Sequence, residues 1–234
     1  MALTEGDILP QISILLQDIA NVRWPVTELR FWLNEAQRMI ANLSIGSCTA
    51  TRQVALVGGT KQTIPSDGIR LLSITRNIVD VAHGVTGRRV AVCDLDTLSA
   101  YDPAWAVATP VVEIQNYCYD ERTPTVFYVY PPVSPGEGIS GPSFTNVEMV
   151  LAVEPNYTTG PTSPLSLGDQ YVPMLIDYIL WRAFSKDNGT PNGFAIAQNY
   201  QKSFYEGMAM IERVIMRTSP NQVAMPVQKA GKNA

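Results

Sequence analysis

The stretch Pro25-Val-Thr-Glu-Leu-Arg-Phe-Trp-Leu-Asn-Glu-Ala-Gln-Arg-Met-Ile-Ala-Asn-Leu43 puts Leu29, Trp32, Leu33, Ala36, Met39, Ile40 and Leu43 on one apolar stripe at helical spacing. Glu28, Arg30, Asn34, Glu35 and Arg38 take the remaining face, and Pro25 stands where a first-turn proline belongs. Gly46 offers a stop. Upstream, Ile8, Ile12, Leu15, Leu16 and Ile19 keep the same period, which predicts a helix with Thr4 as its cap and Asp7 three residues on. Pro10 falls in its first turns or marks its true start.

Beyond Thr51 the period changes to two and stays there to Tyr157. Val54 to Val57, Gly58-Gly59 and Lys61 to Ile64 predict a hairpin closed by Pro65. Thr125 to Tyr130 and Glu148 to Val153 are strand-like and fenced by prolines, and Ser134 to Pro142 is a Gly/Pro/Ser loop. After a polar connector, Thr158 to Pro164, helices return. Asp169 to Lys186 is apolar nearly all round (Val172, Leu175, Ile176, Ile179, Leu180, Trp181, Ala183, Phe184), so it needs partners on more than one side. Asn188-Gly189 breaks it. Thr190-Pro191 starts another helix, with Ala197, Tyr200, Phe204, Met208, Ile211 and Ile215 on one stripe to about Arg217. Thr218 to Ala234 has no usable periodicity and carries Lys229 and Lys232, which predicts a mobile tail when the protein is alone.

Composition narrows the chemistry. The 234 residues are 46% hydrophobic but only 16% charged, below the ~25% usual for soluble domains, so the chain is globular with a surface rich in uncharged polar groups. A net charge of −4 argues against a strongly basic partner surface. The acidic start, Met1 to Asp7, lacks a basic region before an apolar run, so no signal peptide is expected. Pro173, Asp177 and Arg182 interrupt the most apolar segment, Tyr171 to Phe184, which argues against a membrane span. Cys48, Cys93 and Cys118 are an odd, sparse set with no CxxC spacing, pointing to a reducing compartment and no metal finger.

Each motif that suggests chemistry has a plainer structural account. Gly136, Gly138 and Gly141 match GxGxxG, but Pro142 follows and the next predicted element is a strand, so no helix N-terminus is available for a pyrophosphate. Asp94, Asp96 and Asp102 lack calcium-loop spacing and suit turn caps. The lone His83 stands beside Gly84 with no GxSxG elbow anywhere, and Cys118 between Tyr117 and Tyr119 suits a buried strand position. Gly58-Gly-Thr-Lys61 lacks most of a phosphate-binding loop. Tyr117, Tyr119, Phe127, Tyr128 and Tyr130 could line a carbohydrate or single-strand groove, yet Arg122 is the only basic group near them in sequence, which favours core and cross-strand packing. Neither a catalytic constellation nor a metal or cofactor site is expected. What remains is a scaffold, a binding module or an assembly subunit that exchanges arms with its neighbours.

Four stretches carry a resemblance. They are Leu16-Gln-Asp18 with Val22-Arg-Trp-Pro25 and Glu28 to Arg38; Gly59 to Pro65 with Gly68 to Leu72 and Arg76-Asn77; Asn116 to Asp120 with Pro124 and Phe127 to Val133; and Asp177 to Asp187 with Ala197, Tyr200 and Phe204. In order and together, they resemble the head-to-tail adaptor (connector) proteins of tailed bacteriophages over about residues 16 to 204. Cys118, where a bulkier residue is expected, and the long Ser134 to Pro142 loop depart from the family pattern. The resemblance implies a virion protein assembled in the host cytoplasm. It implies a homo-oligomeric ring, a dodecamer, beneath the portal protein of a DNA-filled head, with a tail tube or nozzle protein below and DNA passing through the lumen without sequence-specific binding. A helical bundle forms the ring, and a C-terminal arm reaches into the portal.

The resulting expectation is an α+β chain. Terminal helices (1–50 and 160–217) form a helical bundle, a mainly antiparallel β domain (51–159) is inserted between them, and 218–234 is an extended C-terminal arm. The arm that docks on the portal is expected to use Arg213, Arg217, Val223, Met225, Val227, Lys229 and Lys232. A nozzle or minor tail protein, and more remotely a carbohydrate-binding module, are the competing readings.

Overall fold

The computed structural model describes residues 3–81, 83–134, 145–187 and 192–218. The chain is α+β and divides into two compact units, residues 1–44 with 157–234, and residues 45–156. The predicted Ser134 to Pro142 loop (after Ser134), the Asn188-Gly189 break, the Thr190-Pro191 cap and the tail after Thr218 lie outside the described residues.

In the first unit, α1 spans Glu5–Leu15 and α2 spans Val26–Leu43. Asp7 accepts from both the backbone N–H and the hydroxyl of Thr4, at 2.9 and 2.7 Å, and fixes the start of α1 ahead of Pro10, which sits inside the helix. The expected extension through Ile19 is wrong. The helix ends at Leu15, Gln17 and Asn21 adopt left-handed φ of 54° and 52°, and Ile19 is 78% exposed in the loop that follows. On α2, Leu29, Trp32, Leu33, Ala36 and Ile40 are buried as the stripe predicts, while Leu43 is exposed and the helix stops before Gly46.

Asn34, placed on the polar face by its spacing, is instead buried, as is Gln37. Asn34 clamps Thr158, donating from Nδ2 to its carbonyl at 3.1 Å and accepting its N–H at 2.8 Å, and Gln37 Oε1 accepts from Ser166 N–H at 3.1 Å. The polar connector is therefore fastened to α2 rather than loose. It is also tied to the start of α1, where Glu5 and Gly6 donate backbone N–H bonds to Ser163 and Pro161. Buried Glu5 holds Arg30 of α2 through three bonds of 2.7 to 2.9 Å. Arg30→Met would strand that carboxylate without its counter-charge, which should lower stability by about 3 kcal/mol. Glu5→Leu combined with Arg30→Met should recover most of the loss in urea denaturation, because the pair can be replaced by apolar packing but not halved.

Helices α4 (Val172–Lys186) and α5 (Gly193–Thr218) complete this unit. As the all-round apolar pattern requires, α4 packs against α1, α2 and α5. Its contact with α5 is antiparallel and aromatic. Tyr178 meets Phe204 edge-on at 5.4 Å, Phe184 stacks on Tyr200 at 5.8 Å, and Asp177 accepts the Ser203 hydroxyl at 2.6 Å. Gly207 permits the approach near the start of α4, since a Cβ there would lie 3.0 Å from Met174 Sδ.

The second unit holds β1 (Thr49–Ala55), β2 (Gly59–Thr63), β3 (Gly68–Asp80), β4 (Val85–Arg89), β5 (Ala91–Val92), the short helix α3 (Leu95–Tyr101), β6 (Asn116–Tyr119), β7 (Val126–Val133) and β8 (Asn146–Val153). Two four-stranded sheets run β1-β8-β3-β4 and β2-β7-β6-β5; every pairing is antiparallel except β5 with β6. Leu71, Ile74, Val147, Met149 and Leu151 from the first sheet meet Tyr117, Phe127, Val129 and Val133 from the second in one core.

The predicted Val54–Ile64 hairpin does not form. β1 pairs with β8 and β2 with β7, so Gly58-Gly59 is a corner between sheets, with Gly59 at φ +101°. Buried Gln62 braces that corner, accepting Val57 N–H at 2.9 Å and donating to its carbonyl at 2.7 Å. Asn77, fully buried on β3, fastens β4 and the segment leading into β6. It donates to the carbonyls of Arg88 and Ile114 and accepts Ile114 N–H, all within 3.0 Å.

Candidate functional site

Among the described residues, several of those that suggest chemistry hold structural contacts. Asp94 caps α3 by accepting Thr97 N–H at 2.9 Å, and Asp102 accepts Ala104 N–H at 3.1 Å and the Tyr130 hydroxyl at 3.3 Å. His83 is exposed in a turn and pairs with Asp80 at 2.6 Å. Tyr117 and Phe127 are core, Tyr119 donates its hydroxyl to the Pro124 carbonyl at 3.0 Å, and Trp105 packs edge-on against Tyr128 at 6.0 Å. Among the described residues no group of three His, Cys, Asp or Glu side chains could hold a metal ion. Likewise, no described helix is long and apolar enough to cross a membrane.

The motif Leu16-Gln-Asp18 with Val22-Arg-Trp-Pro25 builds a shaped loop. Asp18 accepts the backbone N–H groups of Val22, Arg23 and Trp24 at 2.9, 2.8 and 2.9 Å, gathering the chain before α2. Trp24 is buried, and the Arg23 guanidinium lies 4.8 Å over its ring while also pairing with Asp187. Beside this loop an open groove of about 340 Å³ is lined by Leu9, Pro10, Ile14, Ile19, Val26 and Pro161.

Chiefly the Trp24 N–H holds the Asp18 carboxyl below the usual carboxylate range. Asp7, Asp94, Asp120 and Glu148 are lowered in the same way, mainly by Thr4, Thr97, Arg122 and Thr75 respectively. With folded values below the unfolded ~3.9 to 4.3, the native state binds fewer protons. Their stabilisation is complete above that range and is lost as pH falls through the folded values. Urea midpoints should therefore hold steady from pH 7 to about 5 and drop below pH 4, with a shallower drop in Asp18→Asn.

Of the residues expected to dock a partner, Arg213 and Arg217 lie on α5 and are exposed; Val223, Met225, Val227, Lys229 and Lys232 lie outside the described residues. The first half of α5 is buried through Ala197, Phe204 and Met208. With Gly207 already beside Met174 near the start of α4, the last residues of α5, 210–218, run beyond that helix for about 13 Å at ~1.5 Å per residue. Met210, Val214 and Met216 are exposed there, and Met210, Arg213, Val214 and Arg217 fall on one face. The sequence stripe holds for Ala197, Phe204 and Met208 but fails at Ile215, which is exposed because α4 ends before it; the second, apolar and basic side is visible only once that end is known.

The family model described as SU10 adaptor protein matches residues 3–225. No curated protein matches the chain.

Proposed function

We propose that this chain, which belongs to the SU10 adaptor protein family of bacteriophage structural adaptors, closes with copies of itself into a ring, a dodecamer, beneath the portal protein of the head. The family match, over nearly the whole chain, carries this reading. The portal lies above the ring, and a tail tube or nozzle protein below it. The helical unit forms the body of the ring, the β unit is its inserted domain, and residues from Arg213 through Lys232 form the arm that docks on the portal. The projecting end of α5 supports that assignment, because it offers apolar and basic side chains beyond the body of its own unit.

Genomic DNA passes through the lumen. A conduit must not grip phosphate, and a chain of net charge −4 lacks the excess of lysine and arginine that would bind DNA by counterion release. The protein resides at the neck of the virion and is assembled in the host cytoplasm. Mixing the purified protein with portal rings and sedimenting them tests the reading. Co-sedimentation as a complete ring supports it, whereas a monomer that ignores the portal and binds only tail components would favour a nozzle or minor tail protein.

A further inference from the structure

Two of the three cysteines are brought together in the β unit. β5 and β6 pair in parallel, with Ala91 opposite Asn116 and Val92 opposite Tyr117, so the next step of the register sets Cys93 opposite Cys118. The Cys93 N–H donates to the Tyr117 carbonyl at 2.8 Å, which continues the ladder to that position. Neighbouring strands lie ~4.8 Å apart, inside the ~4.4 to 6.8 Å window of Cα separations that a disulfide spans. The sulfurs are 2.7 Å apart, closer than the ~3.5 to 4.0 Å at which even carbon atoms pack best. Cys48 is buried elsewhere, and burial pushes its thiol up, so it is a poor competitor.

We infer that Cys93 and Cys118 form a redox site, closing to an intrachain disulfide when a small-molecule disulfide reaches the protein. Cys93, the more exposed of the two, loses its proton to water and attacks one sulfur of the reagent, releasing the first small thiol and leaving a mixed disulfide on Cys93. Cys118 then loses its proton and displaces the second small thiol, forming the Cys93–Cys118 bond. The two protein thiols are oxidised by two electrons, and the reagent is reduced to two thiols. Burial pushes the Cys118 thiol up, which slows the second step.

The bond closes a loop across 25 positions that carries α3 together with Asp102 and Trp105, whose partners Tyr130 and Tyr128 stand on β7 outside the loop. It therefore fastens that loop to the sheet. Under the virion reading above, the thiols persist in the reducing cytoplasm and the bond forms once the particle is released; the chemistry itself does not depend on that reading.

Asp94, Asp96, Asp120 and Glu121 outnumber Arg122 beside Cys118 and favour a cationic reagent, so the probe is cystamine acting on the reduced full-length protein. Thiol titration after denaturation should fall from three to one. The intact mass should be lower by two hydrogens with no retained cysteamine, and peptide mapping should join Cys93 to Cys118. Cys118→Ser should retain one cysteamine on Cys93, and Cys93→Ser should stay unmodified at Cys118. The oxidised β unit should melt roughly 5–10 °C higher. Three persisting thiols, a stable cysteamine adduct on the natural chain, a bond to Cys48 or covalent dimers would each overturn the inference.

Discussion

Deleting Thr218 to Ala234 should leave the thermal midpoint of the protein nearly unchanged and reduce docking on portal rings at least 100-fold. The segment has no apolar periodicity with which to fold alone, and its only charges, Lys229 and Lys232, are basic. A segment of that composition is expected to gain its order from the partner and to contribute contacts there rather than to its own monomer. Lys229→Glu with Lys232→Glu should weaken docking less, most visibly at low salt, because screened charges act chiefly on encounter. Met210→Ser with Val214→Ser on the exposed side of α5 should weaken docking without that salt dependence. Co-sedimentation across a salt series separates the three. Full occupancy by the truncated protein would move the interface from the arm to the helical body.

Trp32→Ala should be the most damaging single change within the fold. Trp32 is only 5% exposed and stands on α2 beside the fully buried Leu29, Leu33 and Ala36. Truncating a buried tryptophan costs ~3–5 kcal/mol, against a total stability of ~5–15 kcal/mol for an ordinary domain. The helical unit should be largely unfolded at 37 °C or melt far below the natural protein. Phe31→Ala is the matched control. Its neighbouring side chain is 60% exposed, so the loss should stay near 0.5 kcal/mol. Equal losses would mean that the two faces of α2 have been exchanged.

What was legible depended on whether a signal was local. The α2 stripe, the Thr4–Asp7 cap and the need of α4 for several partners follow from spacing alone, because a helix carries its period within a few turns. Strand pairing does not. Nothing between Val54 and Ile64 says that β1 will join β8 and β2 will join β7, and a glycine corner between sheets has the same composition as a hairpin turn. Asn34 falls on the polar side of the helical wheel, yet it is buried because its partner, Thr158, stands more than 120 positions away. The Cys93–Cys118 approach was hidden for the same reason: parallel register, not CxxC spacing, creates it. The expected arm after Thr218 lies outside the described residues; the exposed end of α5 adds what the sequence could not show, the point at which α4 ends beside it.

Cryo-electron microscopy of the full-length protein mixed with purified portal decides whether the protein docks there as a ring. Averaged images should show a closed ring of adaptor density on one face of the portal, with the ends of the α5 helices directed into it. Portal rings left bare beside free adaptor, under conditions where the adaptor binds isolated tails, would contradict the account.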